Sequence, residues 1–600
     1  MEQNVLNSLN ETQQIAVLNN GGPLLILAGP GSGKTRCLTH KIAYLIEEQG
    51  ISPEEILAVT FTNKAANEMR ERIQKLTNGT VKSKFPWIGT FHSICAKILR
   101  REGHRIGIPP GFIIYDETDQ EEVVKKIIKV INISEQKINA GSVLNTISSA
   151  KNELISPTTY ATLARGFFQE IAAKVYPQYQ KALKDNSALD FDDLIMETIR
   201  LFEEHPTVLA HYQTYFKFIL VDEYQDTNRA QYVFIKKLAE THKNICVVGD
   251  PGQSIYAWRG ADIRNILQFE KDYPNAKIVK LEQNYRSTQK IITAAYELIS
   301  HNASHPKMTL WTDNKEGDNI QLVEADSEVD EARFLTQIIS FSDHTFSDFV
   351  VLYRTNAQSR VIEEAFLKSR IPYTIIGGTR FYERKEIKDV LAYVRVIALS
   401  GDSVALERAE KVGKRRLQKV LELKTTIGTQ KLAPIVILDK VLEASQYLDL
   451  LADGTKEGES RIENVKELRS VATEFGDLHD FLENVALVQQ EYMPDSQKNS
   501  DEKNQNVVRM MTLHSAKGLE FPIVFIVGFE EGLLPHSRAL VDRSELEEER
   551  RLCYVGITRA KERVYLTYAQ KRLFFGSTSY NEVSRFVDEI PGELIERWHM

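Results

Sequence analysis

A glycine-rich turn between an apolar run and a helical pattern constrains the fold of this chain more than any other feature. The apolar residues Leu24–Ala28 precede the sequence GPGSGKT at residues 29 to 35, and a helical pattern follows. Glycines in such a turn let backbone N–H groups curl around phosphate oxygens, and the N-terminus of the helix adds positive potential. This order of strand, turn and helix predicts a phosphate-binding loop in an α/β fold.

The side chains of this loop have separate predicted tasks. Lys34 is expected to reach the β- and γ-phosphates of ATP, and the Thr35 hydroxyl is expected to bind Mg²⁺. A chance glycine-rich loop is the alternative, but the preceding strand and following helix argue against it. The nucleotide-binding residues predicted from the loop are Gly29, Pro30, Gly31, Ser32, Gly33, Lys34 and Thr35.

A second apolar run, at residues 218 to 221, ends in two carboxylates, Asp222 and Glu223. In enzymes with a phosphate-binding loop, a carboxylate at such a strand end holds the metal ion, so Asp222 is a predicted Mg²⁺ ligand beside Thr35. Glu223 is then placed to polarise the water that attacks the γ-phosphate. The alternative is a solvated acidic loop. Next to a phosphate-binding loop, the carboxylates favour ATP hydrolysis.

The 600 residues are too many for one hydrophobic core, so several domains are expected. Short apolar runs typical of buried parallel strands alternate with helical patterns, which indicates an α/β fold. The strand-like runs lie at residues 24–28, 56–60, 218–222, 245–249, 350–353 and 523–528.

Two stretches, 116–188 and about 383–500, interrupt this alternation with helical patterns, and residues 493 to 506 resemble a linker. This pattern therefore predicts two α/β cores, each with a mainly helical inserted subdomain. The predicted bounds are 1–110 plus 190–280 for the first core, 111–189 for its insertion, 281–382 plus 507–600 for the second core, and 383–506 for its insertion with the linker.

Charge and cysteine content give weaker indications about where the chain works. The formal net charge of −8 does not exclude nucleic-acid binding, which depends on local patches. The scattered Cys37, Cys95, Cys246 and Cys553 lack metal-binding spacing, which indicates reduced thiols. The polar N-terminal residues do not resemble a signal peptide, and no apolar run is long enough to span a membrane. We therefore expect a cytoplasmic protein without membrane contact.

Several further motifs occur in a fixed order along nearly the whole chain, and together they resemble the superfamily 1 DNA helicases of the UvrD/PcrA/Rep type. In that family the two cores are RecA-like P-loop NTPase folds. The motifs are LNETQQIAV at 9–17, AVTFTNKAANEM at 58–69, IGTFHSICAKIL at 88–99, LDFDDLI at 189–195, VVGDPGQSIYAWRGA at 247–261, LEQNYRS at 281–287, TLHSAKGLEF at 512–521 and EEERRLCYVGITRAKE at 547–562.

The resemblance implies further roles at the ATP site. Arg286 and Arg559 would be arginine fingers supplied by the second core, because phosphoryl transfer needs positive charge opposite the γ-phosphate. Gln253 would link the γ-phosphate and the attacking water to the DNA side. The remaining implied contacts are Gln13 with the adenine base, Arg36 and Tyr285 on the two faces of the adenine, and Glu520 with the ribose.

The resemblance also implies a track for single-stranded DNA. Tyr256 and Trp258 would stack on bases, and Phe61 would form part of a base pocket, which makes binding tolerant of sequence. Phe575 would lie in a hairpin that separates the duplex at a fork, although two adjacent phenylalanines could equally belong to the core. The implied contacts to the DNA backbone or bases are Thr90, His92, Arg259, Arg354, Asn356 and His514.

The function implied by the resemblance is ATP-dependent 3′-to-5′ unwinding and translocation in DNA repair or replication. Single-stranded DNA and junctions of single- and double-stranded DNA are the expected partners, and a monomer or weak dimer is expected. One alternative is a translocase that strips bound proteins with little unwinding, and another is a clamp without motor activity. A basic segment at residues 411 to 417 fits either a duplex contact or a solvated helix face.

Overall fold

The chain forms two compact units, which we describe separately. The first consists of Met1–Tyr285 with Ala303–Asp313, and the second of Arg286–Asn302 with Asn314–Met600. The predicted linker at 493 to 506 lies outside the described residues except for Asn506. The computed structural model describes residues 5–77, 85–131, 138–303, 305–399, 401–428, 430–491 and 506–600.

The first unit is built on a parallel sheet of six strands in the order β3-β2-β6-β7-β1-β8. Its central strands are short apolar runs that are buried along their whole length, as expected for a sheet covered on both faces. A short parallel pair, β4 with β5, lies outside this sheet. The strands of this unit are β1 Leu24–Ala28, β2 Ile56–Thr60, β3 Ile88–Thr90, β4 Ile113–Ile114, β5 Ala188–Leu189, β6 Phe218–Val221, β7 Ile245–Gly249 and β8 Lys277–Leu281.

Two hydrophobic clusters of the first unit share the strands of the six-stranded sheet. A third cluster joins α5, α6 and α8, so this helical part has its own core. The helices of the unit are α1 Glu11–Val17, α2 Lys34–Glu47, α3 Asn63–Leu76, α4 Phe91–Glu102, α5 Glu117–Val130, α6 Ala140–Asn152, α7 Pro157–Leu163, α8 Phe167–Asp185, α9 Phe191–Glu204, α10 Pro206–Tyr215, α11 Arg229–Ala239, α12 Arg264–Leu267 and α13 Phe269–Asp272.

The second unit is built on an eight-stranded sheet in the order β11-β12-β10-β13-β14-β9-β16, with β15 paired to β14. All pairs are parallel except β14 with β15, which form a hairpin. The strands of this unit are β9 Ile320–Ser327, β10 Phe349–Tyr353, β11 Tyr373–Ile375, β12 Val508–Thr512, β13 Phe521–Ile526, β14 Ala560–Phe574, β15 Ser577–Ser579 and β16 Ile595–His599.

One continuous hydrophobic cluster of the second unit runs from its sheet into the helices between β11 and β12. The helical part of this unit is therefore packed directly on the α/β part. The helices are α14 Gln289–Ser300, α15 Glu328–Phe341, α16 Ser359–Lys368, α17 Lys385–Ala398, α18 Ser403–Val412, α19 Lys414–Ile427, α20 Pro434–Ser445, α21 Tyr447–Leu451, α22 Lys456–Thr473, α23 Leu478–Glu491 and α24 Arg543–Ile557.

The predicted α/β class and the six predicted strands are confirmed, with small shifts at the ends. The strand predicted at 218–222 ends at Val221, because the next residues turn and Glu223 has a left-handed φ of 51°. The strand predicted at 523–528 ends at Ile526, before Gly528 with its φ of 63°. The predicted division into four domains stays a prediction. Among the described residues, no helix has the length and apolar composition that a membrane span requires.

Candidate nucleotide site and nucleic-acid track

The phosphate-binding loop leads from β1 into α2, as its sequence predicts. Gly31 and Gly33 have left-handed φ values of 63° and 81°, which glycine adopts without a steric penalty. Gly33 is the N-cap of α2, and no side chain caps this end of the helix in the described chain. The first N–H groups of α2 are therefore available to phosphate oxygens.

Lys34 is the first residue of α2, and its ammonium group is buried. Within the described residues Nζ has no hydrogen-bond partner, and the Asp250 carboxylate lies 3.9 Å away. A buried charge without hydrogen bonds is costly, so such a group indicates a site completed by a ligand. Phosphate oxygens would supply the acceptors that Lys34 lacks.

The Thr35 hydroxyl and the Asp222 carboxylate lie together, as predicted for a Mg²⁺ site. Thr35 Oγ1 donates a hydrogen bond of 3.4 Å to Asp222 Oδ2. Burial and the nearby Glu223 carboxylate raise the pKa of Asp222 to about 7, while Lys34 opposes the rise. A divalent cation would stabilise the charged carboxylate. A hydroxyl and one carboxylate fit Mg²⁺, which takes its other ligands from water and phosphate.

Glu223 is held in place by a glutamine that the sequence analysis did not single out. Gln225 Nε2 donates to Glu223 Oε2 at 2.6 Å, and Gln225 Oε1 accepts from the Asp250 N–H at 2.9 Å. Asp250 in turn accepts from Gln253 Nε2 at 2.6 Å. A Cβ at Gly249 would come within 2.4 Å of Gln225 Oε1, so the glycine leaves room for this side chain. The network joins the predicted water-activating carboxylate to Gln253.

The predicted adenine contacts lie in the first unit around α1. Gln13 is buried, and its amide donates to the Ser32 carbonyl in the phosphate-binding loop at 2.9 Å. Tyr285 is 47% exposed, and its backbone N–H donates to the Gly31 carbonyl at 3.0 Å. Arg36 is also exposed, and it donates to the Ser8 carbonyl at 2.6 Å. These side chains surround the start of α2, while their contacts with adenine stay a prediction.

Asn10 is a second residue that the sequence analysis missed. It caps α1, its Nδ2 donates to the Tyr285 hydroxyl at 2.8 Å, and its N–H donates to Gln13 Oε1 at 3.2 Å. The signal was present in LNETQQ, because an asparagine followed by glutamine three residues later forms a capping box. Asn10 therefore positions both Gln13 and Tyr285.

Arg286 and Glu520 form an ion pair in the second unit. Arg286 Nε donates to Glu520 Oε2 at 2.8 Å, and Nη1 donates to the Thr558 carbonyl at 3.0 Å. Lys561 Nζ lies 2.8 Å from the other oxygen of Glu520. Although burial acts in the opposite direction, Lys561 and Arg286 hold the pKa of Glu520 below its ordinary value. The Glu520 carboxylate thus orients Arg286. The contact of Glu520 with the ribose stays a prediction.

Arg559 differs from Arg286 because it is only 1% exposed. Its guanidinium donates to the carbonyls of Val555 and Leu519 at 2.9 and 3.2 Å and to the Thr558 hydroxyl at 3.1 Å. The side chain is therefore fixed by the end of α24 and by the backbone at Leu519, just before β13. Its role as an arginine finger stays a prediction.

The predicted base-stacking segment presents two aromatic rings and a cation. Trp258 is 42% exposed, and its ring centre lies 6.5 Å from that of Tyr256. The Arg259 guanidinium lies 4.5 Å from the centre of the Trp258 ring, a cation–π distance. An exposed indole beside an exposed arginine suits the stacking of a base and the binding of a phosphate.

Phe61 and His92, predicted DNA contacts near β2 and β3, each pack beside another aromatic ring. The Phe61 ring lies 5.6 Å from that of Phe91, and the His92 ring lies 5.7 Å from that of Phe191. Burial lowers the pKa of His92, so the imidazole is neutral at neutral pH. The Thr90 hydroxyl caps α4 by accepting from the Ser93 N–H. Phe191, which is 48% exposed, is a candidate stacking residue that the sequence analysis missed.

The predicted contacts in the second unit are already engaged with protein groups. Arg354 makes a bidentate pair with Glu549, with distances of 2.7 to 2.9 Å. Asn356 Nδ2 donates to Ser460 Oγ at 3.3 Å. His514 lies in a single helical turn after β12 and is partly exposed. The contacts of these residues with DNA stay predictions. A DNA phosphate bound to Arg354 would share the guanidinium group with Glu549.

The hairpin predicted to separate the duplex is formed by β14 and β15, but Phe575 is not its most exposed aromatic. Phe575 lies in the turn, half-buried, with its ring stacked 3.9 Å from that of Phe574. Tyr580, just after β15, is 79% exposed. Buried Arg572 anchors the hairpin by donating to Glu331 at 2.7 Å. Tyr580 is therefore more exposed to solvent than Phe575.

The basic segment at 411–417 joins α18 to α19 at Gly413. Lys411 and Lys414 pair with Glu407 and Glu410 one turn earlier at 2.8 and 3.2 Å, and both lysines are highly exposed. These pairs fit the solvated helix face, one of the two readings that the sequence allowed.

The fold and the site define a P-loop nucleoside triphosphatase. The phosphate-binding loop, Asp222 and the aromatic segments of the first unit all follow carboxyl ends of strands in one parallel sheet, so they lie at the same sheet edge. This arrangement can combine phosphoryl transfer with the binding of a single strand.

Comparison with known proteins gives the family. The UvrD/REP helicase N-terminal domain matches residues 9–274, and the UvrD-like helicase C-terminal domain matches residues 279–452 and 416–571. Proteins named ATP-dependent DNA helicase PcrA from Bacillus subtilis and Staphylococcus aureus are each 46% identical to this chain. The alignments cover 99% of this chain and 87% of each relative. The chain belongs to the UvrD/REP helicase family, which confirms the resemblance seen in its motifs.

Proposed function

We propose that this helicase hydrolyses ATP to move in the 3′-to-5′ direction along single-stranded DNA and to separate duplex strands, in DNA repair or replication. The relatives from B. subtilis and S. aureus are named ATP-dependent DNA helicases, which supports ATP and DNA as ligands. The observation that carries the proposal is Lys34, a buried ammonium at the start of α2 without a hydrogen-bond partner in the described chain. A triphosphate would complete this site.

The residues around Lys34 support a division of labour in ATP hydrolysis. Thr35 and Asp222 would hold Mg²⁺, which when bound neutralises charge on the β- and γ-phosphates. Glu223 would orient the attacking water and accept its proton, with its carboxylate held by Gln225 at 2.6 Å. Arg286 is the proposed source of positive charge for the transition state.

The exposed aromatic residues support the proposed single-strand track. Trp258 and Tyr256 would stack on bases, and Arg259 would contact a phosphate. Because every base has an aromatic face, this mode of binding carries no strong sequence preference. Single-stranded DNA and its junctions with duplex are therefore the proposed partners.

The direction of movement is tested with two duplexes of the same sequence, one with a 3′ tail and one with a 5′ tail. We expect ATP-dependent strand displacement from the 3′-tailed duplex, because the chain would load on the tail and move towards the fork. Glu223→Gln, which removes the proposed base, is the control for ATP-driven displacement. Displacement only from the 5′-tailed duplex would reverse the proposed polarity. ATP hydrolysis that single-stranded DNA does not stimulate would remove the motor proposal altogether.

Replacement of the exposed hairpin aromatic separates unwinding from translocation. Stacking on one base contributes enough free energy that Tyr580→Ala should lower the unwinding rate about tenfold. Phe575→Ala should lower it less, since that ring stacks on Phe574. DNA-stimulated ATP hydrolysis should be unchanged in both, as in Phe341→Ala, a control at an exposed phenylalanine outside the hairpin.

The same measurements address the alternative function. A parent protein that moves along single strands and displaces bound proteins, yet separates no duplex, would be the stripping translocase instead. If Tyr580→Ala and Phe575→Ala both unwind like the parent protein, the hairpin has no part in strand separation.

A further inference from the structure

We propose that α22 is a strut that fixes the turn of the β14–β15 hairpin at a set distance from the predicted single-strand contact Asn356, and that strand separation depends on this spacing. The inference rests on the proposed unwinding activity and adds the residues that position the hairpin. These positioning residues are Glu467, Arg469 and Ser470 on α22.

One end of the strut holds the hairpin turn by its backbone. The Phe575 N–H donates to Glu467 Oε2 at 3.3 Å, and Arg469 Nη1 donates to the Phe575 carbonyl at 2.8 Å. The Gly576 N–H donates to Ser470 Oγ at 3.0 Å. Side chains of α22 therefore form hydrogen bonds with three backbone groups of the two turn residues. The turn lies more than a hundred residues after these side chains in the sequence.

The conformation of the turn shows why it needs this support. Phe575 and Gly576 have φ values of 57° and 80°, so both residues of the hairpin loop are left-handed. A bulky residue is strained in this region, and such strain persists only where surrounding contacts fix the backbone. A Cβ at Gly576 would lie 2.9 Å from Arg469 Cβ and 3.1 Å from Ile435 Cδ1. The turn is thus packed directly on α22 and α20.

The other end of the strut holds the predicted single-strand contact. Ser460 Oγ accepts from Asn356 Nδ2 at 3.3 Å. Arg384 Nη1 donates both to Asn464 Oδ1 at 2.8 Å and to the Asn356 carbonyl at 3.1 Å. Ser460, Asn464, Glu467 and Ser470 are three or four residues apart, so they share one face of the helix. Ten residues of helix separate the two contact sites by about 15 Å.

A buried ion pair links the hairpin end of α22 to the segment that carries Asn356. Arg360 is 1% exposed, follows Asn356 by four residues, and donates through Nε to Glu467 Oε1 at 2.9 Å. The other oxygen of Glu467 accepts from the hairpin turn and from Ser470. Because breaking a buried ion pair is costly, α22 cannot shift easily relative to either contact site. The hairpin and the single-strand contact therefore keep a fixed spacing.

The test uses two independent changes in the full-length chain. Arg469→Ala combined with Ser470→Ala removes two hydrogen bonds to the turn, and Gly576→Ala introduces a methyl group that pushes the turn away from α22. Each variant should lower the number of base pairs separated per ATP hydrolysed about tenfold. The rate of movement along single-stranded DNA and the DNA-stimulated ATP hydrolysis should equal those of the parent protein.

Two further variants on α22 separate the contact with the turn from general effects on the helix. Arg469→Lys keeps a donor for the Phe575 carbonyl and should restore most of the unwinding. Thr473→Ala is the matched control on α22, because its hydroxyl donates to the carbonyl of Arg469 within the same helix. Normal unwinding by both the double variant and Gly576→Ala would overturn the inference. So would a parallel loss of unwinding and ATP hydrolysis, since that indicates general structural damage. A parent protein that separates no strands would overturn the proposed function and the strut with it.

Discussion

Lys34→Met is expected to lower kcat for ATP hydrolysis by at least about 10²-fold, because a positioned charge that meets the transition-state phosphates is lost. Binding of ATP should also weaken, since Lys34 would contact the phosphates in the ground state. DNA-stimulated ATP hydrolysis and ATP affinity measure the two effects. The substitution keeps most of the length of the side chain, so the loop should keep its shape.

The thermal midpoint of the unliganded protein distinguishes a ligand-binding lysine from a structural one. Lys34 has no hydrogen-bond partner in the described chain, so its removal should not lower the midpoint. Lys125→Met is the matched control, because Lys125 is exposed and pairs with Glu121 one turn away on α5. Hydrolysis by Lys34→Met at the rate of the parent protein would contradict the assignment. A large fall in its midpoint would indicate a structural role.

The geometry of the candidate nucleotide site in the first unit was largely predictable because its parts are local in sequence. The glycine-rich turn, Lys34 and Thr35 are contiguous, and the helix begins at Lys34 as the motif requires. Asp222 lies at the end of β6, and parallel strands bring their carboxyl ends to one edge. The motif and the direction of the sheet thus suffice to bring Thr35 and Asp222 together.

Residues that hold this site by long-range contacts could not be identified in the same way. The hydrogen bond from Asn10 to Tyr285 joins positions far apart in the chain, and a capping pattern gives no information about such a partner. Gln225 follows the recognised carboxylates Asp222 and Glu223, but its acceptor role depends on the backbone of Asp250 after the neighbouring strand β7. Such roles follow from packing and not from local pattern.

In the hairpin, likewise, the sequence alone could not show which aromatic side chain is exposed to solvent. The sequence placed two phenylalanines in a turn, and either could have faced solvent. The turn of Phe575 is instead bonded to α22, which is distant in sequence, and this contact leaves Tyr580 as the exposed ring. Local pattern predicts the hairpin, while its tertiary contacts decide which aromatic residue is available.

The predicted arginines also differ in a way that only packing determines. Arg559 donates to Val555 and Thr558 at the end of α24 and to Leu519 before β13, and it is almost fully buried. Its replacement would therefore remove structural contacts as well as charge. Arg286 donates to Glu520, which keeps Lys561 as a second partner. Arg286 is therefore the better position at which to test transition-state charge.

Arg286→Gln is expected to lower kcat for DNA-stimulated ATP hydrolysis by about 10³-fold, the loss typical of an arginine finger. The KM for ATP should change little if the guanidinium acts mainly on the transition state. Since Glu520 keeps its pair with Lys561, the thermal midpoint should remain close to that of the parent protein. Steady-state hydrolysis at saturating single-stranded DNA measures both kinetic constants.

A matched control separates the catalytic charge from the general loss of an arginine. Arg563 is half-exposed and pairs with Asp318 at 2.7 Å in the same unit, so Arg563→Gln removes one comparable ion pair. It should hydrolyse ATP like the parent protein, because an exposed ion pair contributes little. If Arg286→Gln also keeps the parent rate, Arg286 is not an arginine finger. If instead KM rises while kcat is kept, Arg286 binds the nucleotide equally in its ground and transition states, which contradicts its proposed role in stabilising the transition state.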